Sequence, residues 1–286
     1  NLIIQEQFIS VCILQNLLEK ISIRVIIMKH LLAGSFDLHI INTCNLHCKG
    51  CVVLDYRQEG IVTNTKYELD DVKVVMKKLQ RFDLRLSELK ILGGEPTLHK
   101  QLNEIIDYIK DTNLVDTLTL VTNGLNFTDK IIKSLRKLDR LVISIYPFEQ
   151  DLESVLKNSL LYYDLLQDVN IEFWRYETFE LYGHQIPEVE YSQRLNWDRC
   201  YQKDTCRVVS KEGLYRCTNT YSEKKDLCKW DDKKKIIEFI ESDVPLSHCK
   251  ECPTPALEVD YESNNLPVDI NNFKRGVRLI NDYSKI

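Results

Sequence analysis

Phe36-Asp37-Leu38-His39-Ile40-Ile41-Asn42-Thr43-Cys44-Asn45-Leu46-His47-Cys48-Lys49-Gly50-Cys51 is the stretch on which the reading of this chain turns. Its opening residues alternate polar and apolar, the period of a half-buried strand. Its close sets Cys44, Cys48 and Cys51 at C-x3-C-x2-C spacing in the loop that follows. Three thiolates packed this closely can hold three irons of a cubane iron–sulfur cluster, which takes four cysteines when fully ligated and here keeps one iron open. With His47 as a fourth ligand, the same residues can instead close a tetrahedral Cys3His zinc site. The cysteines alone leave both readings standing.

Two later segments repeat the pattern of a strand opening into a special loop. Glu88-Leu89-Lys90-Ile91-Leu92 runs into Gly93-Gly94-Glu95-Pro96, and Leu118-Thr119-Leu120-Val121 runs into Thr122-Asn123-Gly124. Taken singly, each loop reads as a turn. Taken in order after the cysteines, they resemble the radical S-adenosylmethionine (radical SAM) superfamily, whose members carry such loops after successive strands of a barrel. The resemblance implies that the amino and carboxylate groups of S-adenosylmethionine chelate the open iron, with Cys44, Cys48 and Cys51 at the other corners. It implies a cofactor-binding set of Gly93, Gly94, Glu95, Pro96, Thr122, Asn123 and Ser144. Glycines without a Cβ let backbone approach a ligand closely, the Glu95 carboxylate can accept from an ammonium, and Thr122 and Asn123 offer side-chain hydrogen bonds.

The order of elements predicts an α/β fold, a partial (β/α)6 TIM-like barrel with a small C-terminal cysteine-rich extension. A helical stripe of Val72, Val75, Met76 and Leu79 lies in Leu69–Leu79, and another of Leu102, Ile105, Ile106 and Ile109 follows the second strand. A helix over Ile131–Leu138, a strand over Leu141–Ile145, a helix near Leu152–Leu166 and a strand over Val169–Trp174 continue the alternation. Alternating strands and helices with short connections imply parallel strands and right-handed crossovers. Chemistry in such barrels gathers at the carboxyl ends of the strands. Ser144 and Tyr146 after the fourth strand, and Trp174 and Tyr176 on the fifth, are therefore expected to line a pocket, Tyr146 and Trp174 against substrate. The competing expectation makes Trp174 core and Tyr146 a wetted rim residue. No residue is singled out as a hydrogen donor or acceptor for the radical.

Beyond about residue 190 the alternation stops. Six cysteines follow: Cys200, Cys206, Cys217, Cys228, Cys249 and Cys252. Cys206 to Cys217 reads as a β-hairpin around Lys211-Glu212-Gly213, and Asp232–Ile240 as a helix with Ile236, Ile237 and Ile240 on one face. This layout resembles the SPASM and twitch auxiliary-cluster extensions of radical SAM enzymes. The ligand set it implies is Cys200, Cys217, Cys249 and Cys252, with Cys206 and then Cys228 as substitutes, for a second four-iron cluster. Family hairpins place a glycine five positions before their cysteine, whereas Gly213 stands four before Cys217. A structural zinc site on these residues is the alternative.

A chain of 286 residues with 44% hydrophobic composition can bury a large core plus a smaller unit. The reading divides it into a non-native or lead-in segment (1–27), the barrel (28–190) and the auxiliary domain (191–286). Residues 1–27 lack the uninterrupted apolar run of about 20 that a membrane span needs, and Met28 is the expected natural start, with an amphipathic lead-in helix as the alternative. Cys12 is given no role. A net charge of −5 without basic runs argues against a nucleic-acid partner. Cysteines at metal-ligand spacings point to a reducing cytoplasm, and oxygen-sensitive clusters to anaerobic or microaerobic conditions.

The resemblance implies an enzyme, an oxidoreductase or isomerase, that cleaves S-adenosylmethionine to a 5′-deoxyadenosyl radical and takes hydrogen from a small polar metabolite of sugar or aminocyclitol type. An electron donor such as flavodoxin or ferredoxin is the expected partner. Peptide modification is the second reading, and a zinc-stabilised binding module without activity is the third.

Overall fold

The computed structural model describes residues 29–48, 51, 66–146, 155, 166–175, 193–200, 202–222, 225–250 and 252. The segment 1–27 with Cys12, Met28, Tyr176, and the predicted helix near Leu152–Leu166 apart from Val155 and Leu166 lie outside the described residues.

Among the described residues, the first part of the chain forms five strands and, between the first four, three helices. They are β1 (His30–Ile41), α1 (Leu69–Arg81), β2 (Leu84–Gly93), α2 (Leu102–Thr112), β3 (Val115–Thr122), α3 (Asp129–Leu135), β4 (Arg140–Ile145) and β5 (Asn170–Arg175). Every neighbouring pair in the order β5-β4-β3-β2-β1 is parallel. The strands thus form the wall of a partial TIM-like barrel, as the alternation predicts. The helix stripes meet one face of that wall. Val72, Val75, Met76 and Leu79 of α1 and Ile105, Ile106 and Ile109 of α2 pack into one core with Phe36, Leu38, Ile40, Leu89, Ile91, Leu118, Leu120, Leu141 and Ile143. Each such side chain contributes about 1.5–3 kcal/mol by leaving water. Phe36 is fully buried, and Phe36→Ala would cost about 3–5 kcal/mol.

Local signals set the boundaries. α1 starts where the Glu68 N–H donates to the Asp71 carboxylate at 3.1 Å, half of a capping box. α2 stops at Asn113, whose φ of 53° is the left-handed conformation that ends helices. α3 ends three residues short of the predicted Leu138. Leu138 is nevertheless buried, its N–H bonded to the Leu135 carbonyl at 3.0 Å in a closing turn.

The predicted cysteine-rich extension supplies α4 (Gln193–Arg199), β6 (Arg207–Val209), β7 (Gly213–Tyr215), α5 (Thr218–Ser222), β8 (Cys228–Lys229) and α6 (Lys233–Glu241). β6 and β7 form the expected antiparallel hairpin, and β8 pairs with β7. α6 matches the predicted Ile236/Ile240 stripe and is capped by Asp232, which accepts from the Lys235 N–H at 2.9 Å. What spacing did not predict is that β6 lies parallel to β1, with Phe36 opposite Arg207 and Asp37 opposite Val208. The hairpin therefore extends the barrel sheet on the side of β1 away from β2. Among the described residues, no helix is long and apolar enough to cross a membrane.

Candidate active site

The carboxyl ends of β1 and β2 are joined backbone to backbone. The Gly94 N–H donates to the Ile41 carbonyl at 2.6 Å and the Glu95 N–H to the Thr43 carbonyl at 2.8 Å. This contact is why glycines stand there. A Cβ on Gly93, whose φ is +144°, would lie 2.1 Å from the Ile41 oxygen, and one on Gly94 would lie 2.3 Å from the Thr43 oxygen. The close approach that sequence reasoning assigned to a ligand is, in this structure, an approach to the strand end that leads into Cys44.

Glu95 locks the second loop to the third. It is 1% exposed, and its Oε1 accepts from the Thr97 N–H at 3.0 Å, the Thr97 hydroxyl at 2.6 Å and the Thr122 hydroxyl at 2.6 Å. Its Oε2 accepts from the Asn123 N–H at 2.8 Å. Burial pushes the carboxyl up, and these donors oppose the push. With three bonds already on Oε1, the acceptor capacity left for a ligand ammonium is on Oε2. Pro96 is buried at the start of the short 3-10 turn that Glu95 caps.

The third loop in turn touches the first. Asn123 Nδ2 donates to Asn45 Oδ1 at 2.7 Å and lies 4.0 Å from Cys44 Sγ, while its Oδ1 accepts from the Leu125 N–H at 3.0 Å. Thr122 and Asn123 thus spend most of their predicted cofactor-binding capacity on holding protein loops together. Cys44, Cys48 and Cys51 are in the thiol form on the loop so held, none in a disulfide, Cys48 buried and the others half-buried. Burial pushes the Cys44 thiol up.

Three thiols on one braced loop match in kind the donor set that an iron–sulfur cluster with one open corner would need. The zinc alternative finds less to stand on. His47 is exposed, and among the described residues no three His, Cys, Asp or Glu side chains gather where one ion could sit. A single tetrahedral ion needs such convergence, whereas ligands on separate corners of a cubane do not share one metal.

The barrel's inward face, opposite the helices, holds functional candidates that sequence reasoning missed. Strand alternation sends Asp37, His39, Glu88, Lys90, Thr119, Arg140, Glu172 and Trp174 to that side, and parallel register aligns Asp37 with Lys90, Lys90 with Thr119 and Thr119 with Arg140. Lys90 and Asp37 pair at 3.0 Å with side chains 7% and 6% exposed. Burial pushes the Asp37 carboxyl up while the Lys90 ammonium pulls it back. Arg140 bridges Glu88 and Glu172. The signal was present in the sequence: parallel strands covered on both faces read as continuous apolar runs, and these alternate. Ser144, buried, and Trp174, half-buried, are registered partners on this face near its carboxyl end. Tyr146 is half-buried just past β4.

A second thiol group lies beyond the hairpin. One cavity is lined by Cys200, Cys217, Cys249 and Cys252, together with Arg216, Trp197 and His248. Asn196 Nδ2 ties the two late cysteines together, donating to the Cys249 carbonyl at 2.7 Å and the Cys252 carbonyl at 2.8 Å. Burial pushes the Cys217 thiol well up, and the neighbouring Cys252 and Cys200 add to it. The two substitutes are elsewhere. Cys206 sits where its charge would act on Lys90 of the inward face, and Cys228 is on β8 opposite Leu214. Four thiols around a cavity suit a fully ligated cluster.

Residues 38–159 match the family model described as Radical SAM superfamily, a span that holds all three loops. GTP 3′,8-cyclase of Photorhabdus laumondii is 29% identical over 96 residues, 34% of this chain and 28% of that protein. A probable GTP 3′,8-cyclase of Methanocaldococcus jannaschii is 34% identical over 101 residues, 34% of this chain and 32% of that protein. The chain thus covers about a third of these relatives' length. Among solved structures, BtrN in complex with AdoMet and 2-DOIA superposes with a TM-score of 0.51 at 14% identity, over 86% of this chain and 98% of that one, a likeness of fold.

Proposed function

We propose that this chain is a radical SAM enzyme, the reading that the match of residues 38–159 supports, and that it acts on a small polar metabolite held inside the barrel, with sugars and aminocyclitols as the first candidates. The observation that carries the reading is the knot at the strand ends, where Gly94, Glu95 and Asn123 brace the loop bearing Cys44. Cys44, Cys48 and Cys51 would hold a four-iron cluster, and Glu95 Oε2 with the backbone of Gly93–Pro96 would face the methionine end of S-adenosylmethionine. When bound, this pair supplies a 5′-deoxyadenosyl radical, made by one-electron cleavage of S-adenosylmethionine, that takes a hydrogen atom from substrate. The chain's own contribution is geometric: Glu95 fixes the spacing of the loops, and the polar inward face below them receives and orients the substrate.

Cys200, Cys217, Cys249 and Cys252 would carry an auxiliary four-iron cluster. Their shared cavity supports this set over one containing Cys206 or Cys228. Flavodoxin or ferredoxin in a reducing cytoplasm would supply electrons.

The test is anaerobic reconstitution of the full chain. We expect about eight irons per chain, with 5′-deoxyadenosine formed on reduction in the presence of S-adenosylmethionine. The triple variant Cys44→Ala/Cys48→Ala/Cys51→Ala should keep about four irons and lose cleavage. Undiminished 5′-deoxyadenosine from that variant refutes the first site. Stoichiometric zinc in place of the remaining iron refutes the second and leaves the first intact.

A further inference from the structure

Among the described residues, the charges on the inward face do not balance, and the imbalance points to what the barrel binds. Asp37 and Lys90 form a closed pair, sealed from solvent at 6% and 7% exposure. The other group is a triad of one cation and two carboxylates. Arg140 Nη2 donates to Glu88, Arg140 Nε to the Thr119 hydroxyl at 3.3 Å, and Arg140 Nη1 to Glu172 Oε1 at 3.4 Å. Thr119 also donates to Glu88 at 2.7 Å. The guanidinium is therefore committed mainly to Glu88, and Glu172 keeps only its longest contact. Arg140, Glu88 and Glu172 retain 23%, 19% and 20% side-chain exposure, so this triad, unlike the sealed pair, opens onto accessible space.

Glu172 is dressed as an acceptor. Asn170 Nδ2 donates to its Oε1 at 3.1 Å and the Trp174 indole N–H to its Oε2 at 3.1 Å. A carboxylate has about four lone-pair sites, so Oε2 retains one for a further donor. Trp174 stands one step nearer the carboxyl end on the same face, beside Ser144. A partly buried carboxylate that shares its counter-ion is favourable for a further cation, which would compensate its charge; the Trp174 ring already takes the Arg140 guanidinium at 5.9 Å from its centroid, so the indole's part is to orient Oε2 through its N–H.

We propose that Glu172 and Trp174 form a subsite for an ammonium group of the substrate, which makes that substrate a small polar amine. Arg140 is the positioning residue, holding Glu172 toward the space while remaining tied to Glu88. The inference rests on the reading of the barrel interior as the substrate site.

The experiment is ligand-observed NMR on anaerobically reconstituted full-length protein with S-adenosylmethionine, using matched probes: glucosamine with glucose, and 2-aminocyclohexanol with cyclohexane-1,2-diol. At least one amine should bind about ten-fold more tightly than its hydroxyl partner, the ratio expected for one charge-assisted contact. Glu172→Gln, which keeps the shape and one acceptor, should cut that preference to below about three-fold with iron content unchanged. Raising the pH through the probe amine's own pKa should erase it in the parent protein. Equal binding of amine and hydroxyl partners, including no binding of either, overturns the proposal, as does a preference that survives in Glu172→Gln. Formation of 5′-deoxyadenosine is scored separately: cleavage without amine preference rejects this subsite alone, and amine preference without cleavage rejects the reaction alone.

Discussion

Gly94→Ala tests whether the strand-end knot positions the cysteine loop. The added Cβ would lie 2.3 Å from the Thr43 oxygen, 2.6 Å from the Thr43 carbonyl carbon and 2.8 Å from the Asn42 carbonyl carbon. All three are backbone atoms, so no side-chain rotation relieves the clash. Relief requires the β1 exit to retreat from β2, stretching the Gly94–Ile41 and Glu95–Thr43 hydrogen bonds of 2.6 and 2.8 Å. Overpacking costs about 1–3 kcal/mol and each of the two weakened hydrogen bonds up to about 1 kcal/mol, so a loss of roughly 1–5 kcal/mol is expected. At about 2–4 °C per kcal/mol for a chain of this size, the melting temperature should fall by roughly 2–20 °C. Cys44 follows Thr43 directly, so iron uptake at the first site should fall as well. Circular dichroism melts give the first quantity and iron per chain after anaerobic reconstitution the second, with Val74→Ala, at a 40% exposed position, as the control. A variant that melts with the parent and loads the same iron would refute the reasoning.

Three further outcomes are expected. Single alanine replacements should remove about four irons at Cys200 and leave them at Cys206 and Cys228, because only Cys200 shares the cavity; equal loss at Cys206 would reject that assignment. Arg216, 4% exposed and lining the same cavity, donates to the Ser242 and Val244 carbonyls and has no carboxylate hydrogen-bond partner among the described residues, so Arg216→Met should lower the auxiliary cluster's potential by about 59 mV for each tenfold shift of a one-electron equilibrium. Potentiometric titration of the triple cysteine variant reads this directly, and an unchanged potential speaks against the role. Burial pushes the Tyr221 phenol up from 10 to about 12. The folded state thus holds that proton longer than the unfolded one, so its contribution is complete below pH 10 and lost between pH 10 and about 12, about 2–3 kcal/mol in all. Urea melts across that window should show a shallower decline for Tyr221→Phe, and parallel declines would contradict it.

What could be read from the sequence was what local periodicity encodes. The stripe of Val72, Val75, Met76 and Leu79 identifies α1 because a helix face is set by residues a few positions apart. The hairpin around Lys211-Glu212-Gly213 follows from alternation and a turn in the same way. The three loops were legible as a set because their order along the chain is also their order around the barrel. Illegible were the relations that cross the chain. Glu95 meets Thr122 through a hydrogen bond spanning 27 positions, and no spacing rule announces it. The sequence suggests that the glycine pair lets backbone approach a ligand; the approach the structure shows is to the backbone at Ile41 and Thr43, about 50 positions upstream. Arg140, Glu88 and Glu172 each read as polar positions of a strand, and only the parallel register shows that they share one guanidinium. Cys200 stands at the more usual family distance and Cys206 starts the hairpin, which leaves the first ligand ambiguous from sequence, and in the structure Cys200 rather than Cys206 lines the cavity.

The pairing of β6 with β1 bears on how this protein can be taken apart. In the eight-stranded sheet β1 lies between β2 and β6, with its peptide groups engaged on both sides near Phe36 and Asp37. A chain truncated before Cys200 would turn that strand into an open edge, a template for edge-to-edge association between molecules. Among the described residues, this side of the sheet instead ends on β8, only two residues long, a form of edge that offers little to a neighbouring strand. Expressing the barrel without the hairpin should therefore yield aggregates rather than a smaller soluble enzyme. The residues beyond 200 act as a cover for the sheet as well as a source of thiols.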